Sequence, residues 1–179
     1  MPTTVWRLDP AHSTVEFAVK HMMFTTVRGR FKELSGTIRA DEENPSTSSV
    51  EVEIHAASID TGTSDRDTHL RSADFLDVGN HPTITFRSRE VIGAYAEEGD
   101  HFKVTGDLTI RGKAMPVTLG VVFQGLGKDP WGGQRAGFEA RGEIDRREWG
   151  LMWNQALETG GILVGNTVKL EIEAQAVKQ

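Results

Sequence analysis

The sequence predicts an all-β protein, a single antiparallel barrel over residues 1–179, and three observations carry that prediction. Apolar and polar residues alternate with period 2 along most of the chain. The alternating segments are joined by short turn-forming connections, which makes neighbouring strands antiparallel. No long amphipathic helix is available to cover an exposed sheet, so the apolar strand faces must point at one another. Roughly eight such segments are present, enough for a sandwich or a barrel. Gly106, Gly120 and Gly142 lie inside strand patterns. They favour the barrel, because a tightly curved sheet needs relief from side-chain crowding. A barrel of about eight strands is wide enough to be filled by its own side chains or to hold one ligand.

Taken in order, residues 13–20 put Val15, Phe17 and Val19 on one face and Thr14, Glu16, Ala18 and Lys20 on the other. Residues 31–40 continue extended, and Asp41-Glu42-Glu43-Asn44-Pro45 marks a solvated turn. Val50, Val52 and Ile54 alternate with Glu51, Glu53 and His55, the sharpest case in the chain. Ile84 and Phe86 alternate with Thr85 and Arg87. After an acidic, glycine-bearing loop over residues 93–101 come Phe102, Val104, Leu108 and Ile110. A turn at Gly112-Lys113 leads to Val117, Leu119, Val121 and Phe123. Residues 125–134, with Asp129-Pro130 and Gly132-Gly133, read as another loop. Phe138 and Ile144 then face opposite Glu139, Arg141 and Glu143, and Val168, Leu170 and Ile172 oppose Lys169, Glu171 and Glu173. The expected inward set is Val15, Phe17, Val19, Ile54, Ile84, Phe86, Leu108, Ile110, Leu119, Val121, Phe138, Ile144, Leu170 and Ile172.

Three stretches break the alternation. In residues 61–86 acids, arginines and histidines crowd around the apolar pair Phe75-Leu76. Ser64 followed by Asp67 has the spacing of a helix-starting capping box, and Asp74 is placed to cap a second short turn. His81-Pro82 then returns the backbone to extended geometry. The expectation is of short helical turns across one barrel end, with Phe75 and Leu76 facing inward. The second stretch, Trp149-Gly150-Leu151-Met152-Trp153, is apolar but irregular. It either plugs a barrel end as core or closes an apolar cavity. Met22-Met23-Phe24 offers similarly soft, adaptable packing.

The chain of 179 residues suits one domain with a real core or an enclosed cavity. A net charge of −6 excludes the basic footprint of a nucleic-acid binder and opposes electrostatic docking on anionic membranes. No apolar stretch approaches the length of a membrane span, and no stable membrane insertion is expected. With no cysteine, disulfides and thiolate chemistry are absent. Residues 1–10 lack signal-peptide character, so the expected location is the cytoplasm, and a homodimer stays open. None of the six histidines has a metal-ligand spacing. The alternative function is an enzyme or metal protein built on His12, His21, His69 and His81 with Asp65, Asp67, Asp74 and Asp77. No nucleophile elbow or phosphate loop accompanies these residues.

Several motifs together resemble the YceI-like family of polyisoprenoid-binding proteins. They begin with Asp9-Pro10-Ala11-His12-Ser13 leading into Val15-x-Phe17-x-Val19-x-His21, then Val27-x-Gly29-x-Phe31 and Gly36-Thr37-Ile38. The central block is Asp65-x-Asp67-x-His69-Leu70-x-Ser72-x-Asp74-Phe75 with Pro82-x-Ile84-x-Phe86. Gly106-x-Leu108-Thr109-Ile110-Arg111-Gly112 and Ile144-Asp145-Arg146-x-x-Trp149-Gly150 extend the match. The resemblance implies a lipocalin-like eight-stranded barrel, no catalytic residues and no cofactor. Many family members carry a secretion signal. The implied ligand is a long-chain isoprenoid or fatty lipid held in the pore. Its lining would comprise the inward set from Phe17 onward together with Phe75, Leu76, Trp149 and Trp153. Arg66, His69 and Arg71 are the expected partners of a polar head group.

Overall fold

The computed structural model describes residues 3–93, 95, 97–158 and 163–179. Its eleven strands form one sheet: β1 (Thr4–Leu8), β2 (Thr14–His21), β3 (Thr25–Phe31), β4 (Leu34–Ala40), β5 (Ser49–His55), β6 (Ile59–Asp60), β7 (Thr83–Ile92), β8 (His101–Ile110), β9 (Lys113–Lys128), β10 (Gln134–Asp145) and β11 (Thr167–Lys178). Three consecutive pairs, β1–β2, β3–β4 and β5–β6, each act as one kinked strand, because the two members continue along the same neighbours. The result is a closed, eight-stranded, antiparallel barrel. β11 closes it, pairing with β2 through Lys169–Glu173 and with β1 through Ala176–Lys178.

The first kink follows from its sequence. Asp9 accepts the Ala11 backbone N–H at 3.0 Å and pairs with His12 at 2.7 Å, while Pro10 supplies no N–H to a ladder. Ser13 re-anchors the chain by accepting the Gln175 N–H and donating to the Gln175 carbonyl. Arg135 ties the corner to the β9–β10 hairpin through Asp9 at 2.7 Å and Asp129 at 3.1 Å. Asp9 is held at a pKa of about 2, chiefly by Arg135 and then by His12.

Inward-facing glycines serve as recesses. A Cβ on Gly106 would lie 2.5 Å from the Arg87 carbonyl oxygen and 2.7 Å from the Phe86 ring, and one on Gly142 would lie 2.8 Å from Leu119. The expected relief of crowding is therefore room for a neighbouring side chain at these two positions.

Some elements differ from expectation. β1 is an extra strand that alternation does not single out, because Val5 beside Trp6 blurs a pattern only five residues long. Residues 125–128 and 134 belong to strands rather than a loop, since Gly125, with φ of 106°, meets Gly137 at a bulge and pairing continues past it. The β8–β9 turn is Arg111-Gly112, both left-handed, one residue earlier than expected. Met22-Met23-Phe24 is the β2–β3 turn, and all three side chains are exposed.

The central segment contains one helix, α1 (Ser64–Arg71), followed by turns. Its N-cap is Thr63, with no side-chain cap bond, so the capping box is not formed. Asp67 reaches further back and accepts the Thr61 N–H at 2.9 Å. Asp74 pairs with His69 at 2.8 Å instead of capping a turn, where Ser72 bonds the His69 carbonyl. Phe75 and Leu76 are buried, as expected, and Arg111 holds the Phe75 carbonyl at 3.0 Å.

The barrel's ends are unlike. The helical end carries the 22–24 turn, α1, the Arg111-Gly112 turn and the 146–166 connection. The opposite end carries the connections at 41–48, 93–100 and 129–133. One core cluster sits toward each end: Trp6, Phe86, Phe102, Val121 and Phe123 at the latter, and Leu34, Ile54, Leu76, Trp149 and Leu151 at the former.

Candidate functional site

A cavity of about 630 Å³ runs inside the barrel between the two clusters. That volume lies within the ~300–1,000 Å³ typical of small-molecule sites. Period-2 alternation aims one face of every strand at it, so its walls are almost wholly aliphatic and aromatic. Every apolar residue expected in the lining borders it except Trp149. Trp149 is 2 % exposed and its indole N–H donates to the Leu108 carbonyl at 2.8 Å, which turns the ring into the core behind the wall.

The opposite end is floored by aromatic rings. Tyr95 lies 4.9 Å from Phe102, and Phe123 lies 5.4 Å from Phe138, centroid to centroid. The Tyr95 hydroxyl bonds Ser48 Oγ at 2.8 Å, and burial pushes its pKa up. Ser48, Ser49 and Tyr95 supply neutral polar groups to the lining here, and Ser13, Thr14 and Glu173 border it near the β1–β2 kink.

The helical end is chemically different. Lys20, His21, Asp65, Arg66, His69 and Arg146 all border the cavity there. His69 sits edge-on to Phe75 at 5.1 Å and to Trp153 at 4.6 Å, while Asp74 holds its Nε2. Arg66 donates to Thr61 Oγ1 at 2.7 Å and to the Thr61 carbonyl at 2.8 Å. Arg71 is not on the lining. It stands about 140° around the helix from Arg66 and donates instead to the carbonyls of Ala57 and Ile59 on the outer flank.

Arg146 is one of the lining residues that sequence reasoning missed. It is 3 % exposed and among the described residues has no carboxylate partner; it donates to the carbonyls of Leu151, Trp153, Val164 and Gly165 and lies 6.0 Å from the Phe75 ring centroid. Burial lowers its pKa from the ordinary arginine value. The available signal was an arginine next to an irregular segment whose carbonyls had no strand partners. Trp149-to-Trp153 thus divides its roles: Trp149 and Leu151 are core, Met152 is exposed and Trp153 faces the cavity.

The polar residues considered for catalysis or metal binding are dispersed. His12 is at the β1–β2 kink, His21 ends β2 and His81 lies against Gly112. Among the described residues no group of three or more His, Asp or Glu side chains is placed to hold a metal ion. Asp77 binds Asn80, and Asp67 and Asp74 are used as described above.

Comparison with known proteins follows the same lines. Residues 6–176 match the family model of the YceI-like domain. Protein YceI of Salmonella newport is 44% identical over 140 residues, covering 78% of this chain and 71% of its own. The crystal structure of Burkholderia cenocepacia BcnA superposes with a TM-score of 0.80 at 26% identity, over 94% of this chain and 98% of BcnA. A Saccharophagus degradans domain described as polyisoprenoid-binding and implicated in plant cell wall breakdown shares the fold, with a TM-score of 0.73 at 16% identity over 97% and 98% of the two chains.

Proposed function

The chain belongs to the YceI-like domain family, and from that premise we propose that it binds one long-chain polyisoprenoid or similar apolar lipid in the barrel cavity, for transport, storage or isoprenoid metabolism. The observation that carries the reading is the cavity itself, continuous and apolar from the aromatic floor to the helical end. Each methylene removed from water contributes about 0.8 kcal/mol, so a long chain binds without directional contacts. Such a site selects length and shape over chemical identity. The basic residues of the lining, Lys20, Arg66 and Arg146 with His21 and His69, are confined to the helical end, and this supports an orientation with any polar head group there, near Arg66, His69 and Arg146. Binding rather than catalysis suits the residues present, because His69 on the lining is held by Asp74 and Asp67 beside it by Thr61.

Mass spectrometry of an organic extract from gently purified protein tests the proposal. A stoichiometric isoprenoid or fatty derivative is the expected result. Protein that purifies empty and takes up no fluorescent polyprenyl analogue would overturn it.

A further inference from the structure

The turn between β2 and β3 is built against the usual rules. Phe24 is 81% exposed and Met23 63%, and Met22 and Met23 adopt φ of 51° and 66°. Left-handed backbone is normally given to glycine or asparagine, because a β-carbon crowds the following carbonyl oxygen there. Methionine at both positions helps neither turn geometry nor core packing. Met152, 61% exposed, projects from the 146–166 connection at the same barrel end.

This apolar tip is joined directly to the cavity rim. The Met22 N–H donates to the Leu163 carbonyl at 2.8 Å, the Gly165 N–H donates to the Lys20 carbonyl at 2.9 Å, and His21 bridges to Val164. Lys20, His21, Leu163 and Val164 all line the cavity. Behind the tip three cations stand on the outer sheet face. Arg28 and Lys169 flank Ala18 in one row across β3, β2 and β11, and Lys20 lies next along β2. Lys20 donates to Thr26 Oγ1, and among the described residues none of the three cations has an ion-pair partner. Of the acids of that face, Glu143 stands beside Lys169 in the same row, and Glu16 and Glu171 lie in the next row away from the tip.

We propose that the helical end docks on an anionic lipid bilayer, with Met22, Met23 and Phe24 entering the headgroup–acyl boundary and Arg28 and Lys169 facing the headgroups. Apolar insertion backed by cations is the combination that holds a protein at a bilayer surface. The chain's net charge of −6 opposes such docking overall, so the local sign at the tip sets the orientation. The inference rests on the lipid-cavity reading and adds the place of exchange: the cavity rim is brought to the phase in which an apolar cargo dissolves.

The test is co-flotation of the full chain with vesicles of equal parts phosphatidylcholine and phosphatidylglycerol, beside vesicles of phosphatidylcholine alone. The protein is expected to float with the mixed vesicles. The double variant Met23→Asn, Phe24→Ser should lose about tenfold or more in vesicle affinity, since two apolar side chains no longer leave water. Its melting temperature and its uptake of a polyprenyl analogue from detergent should be unchanged. Arg28→Gln with Lys169→Gln should erase the preference for anionic vesicles. Leu119→Trp, which acts on the cavity, should float like the unaltered protein, so a failed cavity reading and a failed docking reading give different results. Protein that stays unbound with both vesicle types, or a tip variant that floats equally well, would overturn the proposal.

Discussion

Two walls of the same barrel carry the same alternation and yet differ in packing. On β7 and β8 the inward residues Ile84, Phe86, Val91, Phe102, Val104 and Ile110 are buried. On β2, β3 and β11 their counterparts Val15, Phe17, Val19, Val27, Phe31, Val168, Leu170 and Ile172 are only half-buried, although all but their backbones face the same interior. The first wall borders the cavity as well, but its side chains are buried among their neighbours and expose little surface to it. The second leaves more of its apolar surface open to the cavity. Alternation reports which face points inward; it says nothing about whether that face meets protein or a void.

The largest effects should separate the walls. Phe86→Ala is expected to cost about 3–5 kcal/mol in chemical denaturation, as for a buried aromatic. Phe17→Ala, on the open wall, should cost less than half as much and act mainly on uptake of a polyprenyl analogue. Equal losses of stability at the two positions would erase the distinction.

Next comes the rim that joins them. Arg146→Met leaves the carbonyls of Leu151, Trp153, Val164 and Gly165 without their donor. A loss of about 2–3 kcal/mol is expected, because buried acceptors left unsatisfied are costly. Hydrogen exchange should show it first at Leu151 and Val164, with β7 and β8 still protected. Uniform loosening of the whole barrel would contradict a local anchoring role.

A smaller effect marks the β1–β2 kink, where the open wall turns. Asp9 titrates lower in the folded chain than in the unfolded one, so its contribution is complete above the ordinary carboxylate value and fades as pH falls toward about 2. Asp9→Asn should lower neutral-pH stability by about 1–2 kcal/mol, allowing for solvent screening, and should flatten the stability curve in that acid window. A curve that keeps its acid slope in the variant would assign the slope to other carboxylates.

Much of this architecture was legible from residues alone. Val50-Val52-Ile54 against Glu51-Glu53-His55 announces a strand and its inward face, and the family motifs span the chain from Asp9 to Gly150. What escaped depends on distance in space. Arg71 reads like Arg66 in sequence, but helix rotation carries it to the outer flank. Trp149 and Trp153 read alike, and only the Leu108 carbonyl, forty-one residues away, turns the first into the core. Gly125 reads as a loop because a single left-handed glycine marks a bulge as readily as a turn. Met22-Met23-Phe24 reads as packing material, whereas its exposure follows from the hairpin that ends there.

The central claim is that the space beside the open wall is hollow and belongs to a ligand, and Leu119→Trp addresses it most directly. Leu119 is half-buried, lines the cavity and rests over Gly142. In a filled core the added bulk costs about 1–3 kcal/mol through overpacking. In a hollow barrel the indole occupies space that the ligand would have used. Melting of delipidated protein should therefore change little, while uptake of a fluorescent polyprenyl analogue falls sharply. Strong destabilisation with unchanged uptake would contradict the account and place Leu119 in solid core.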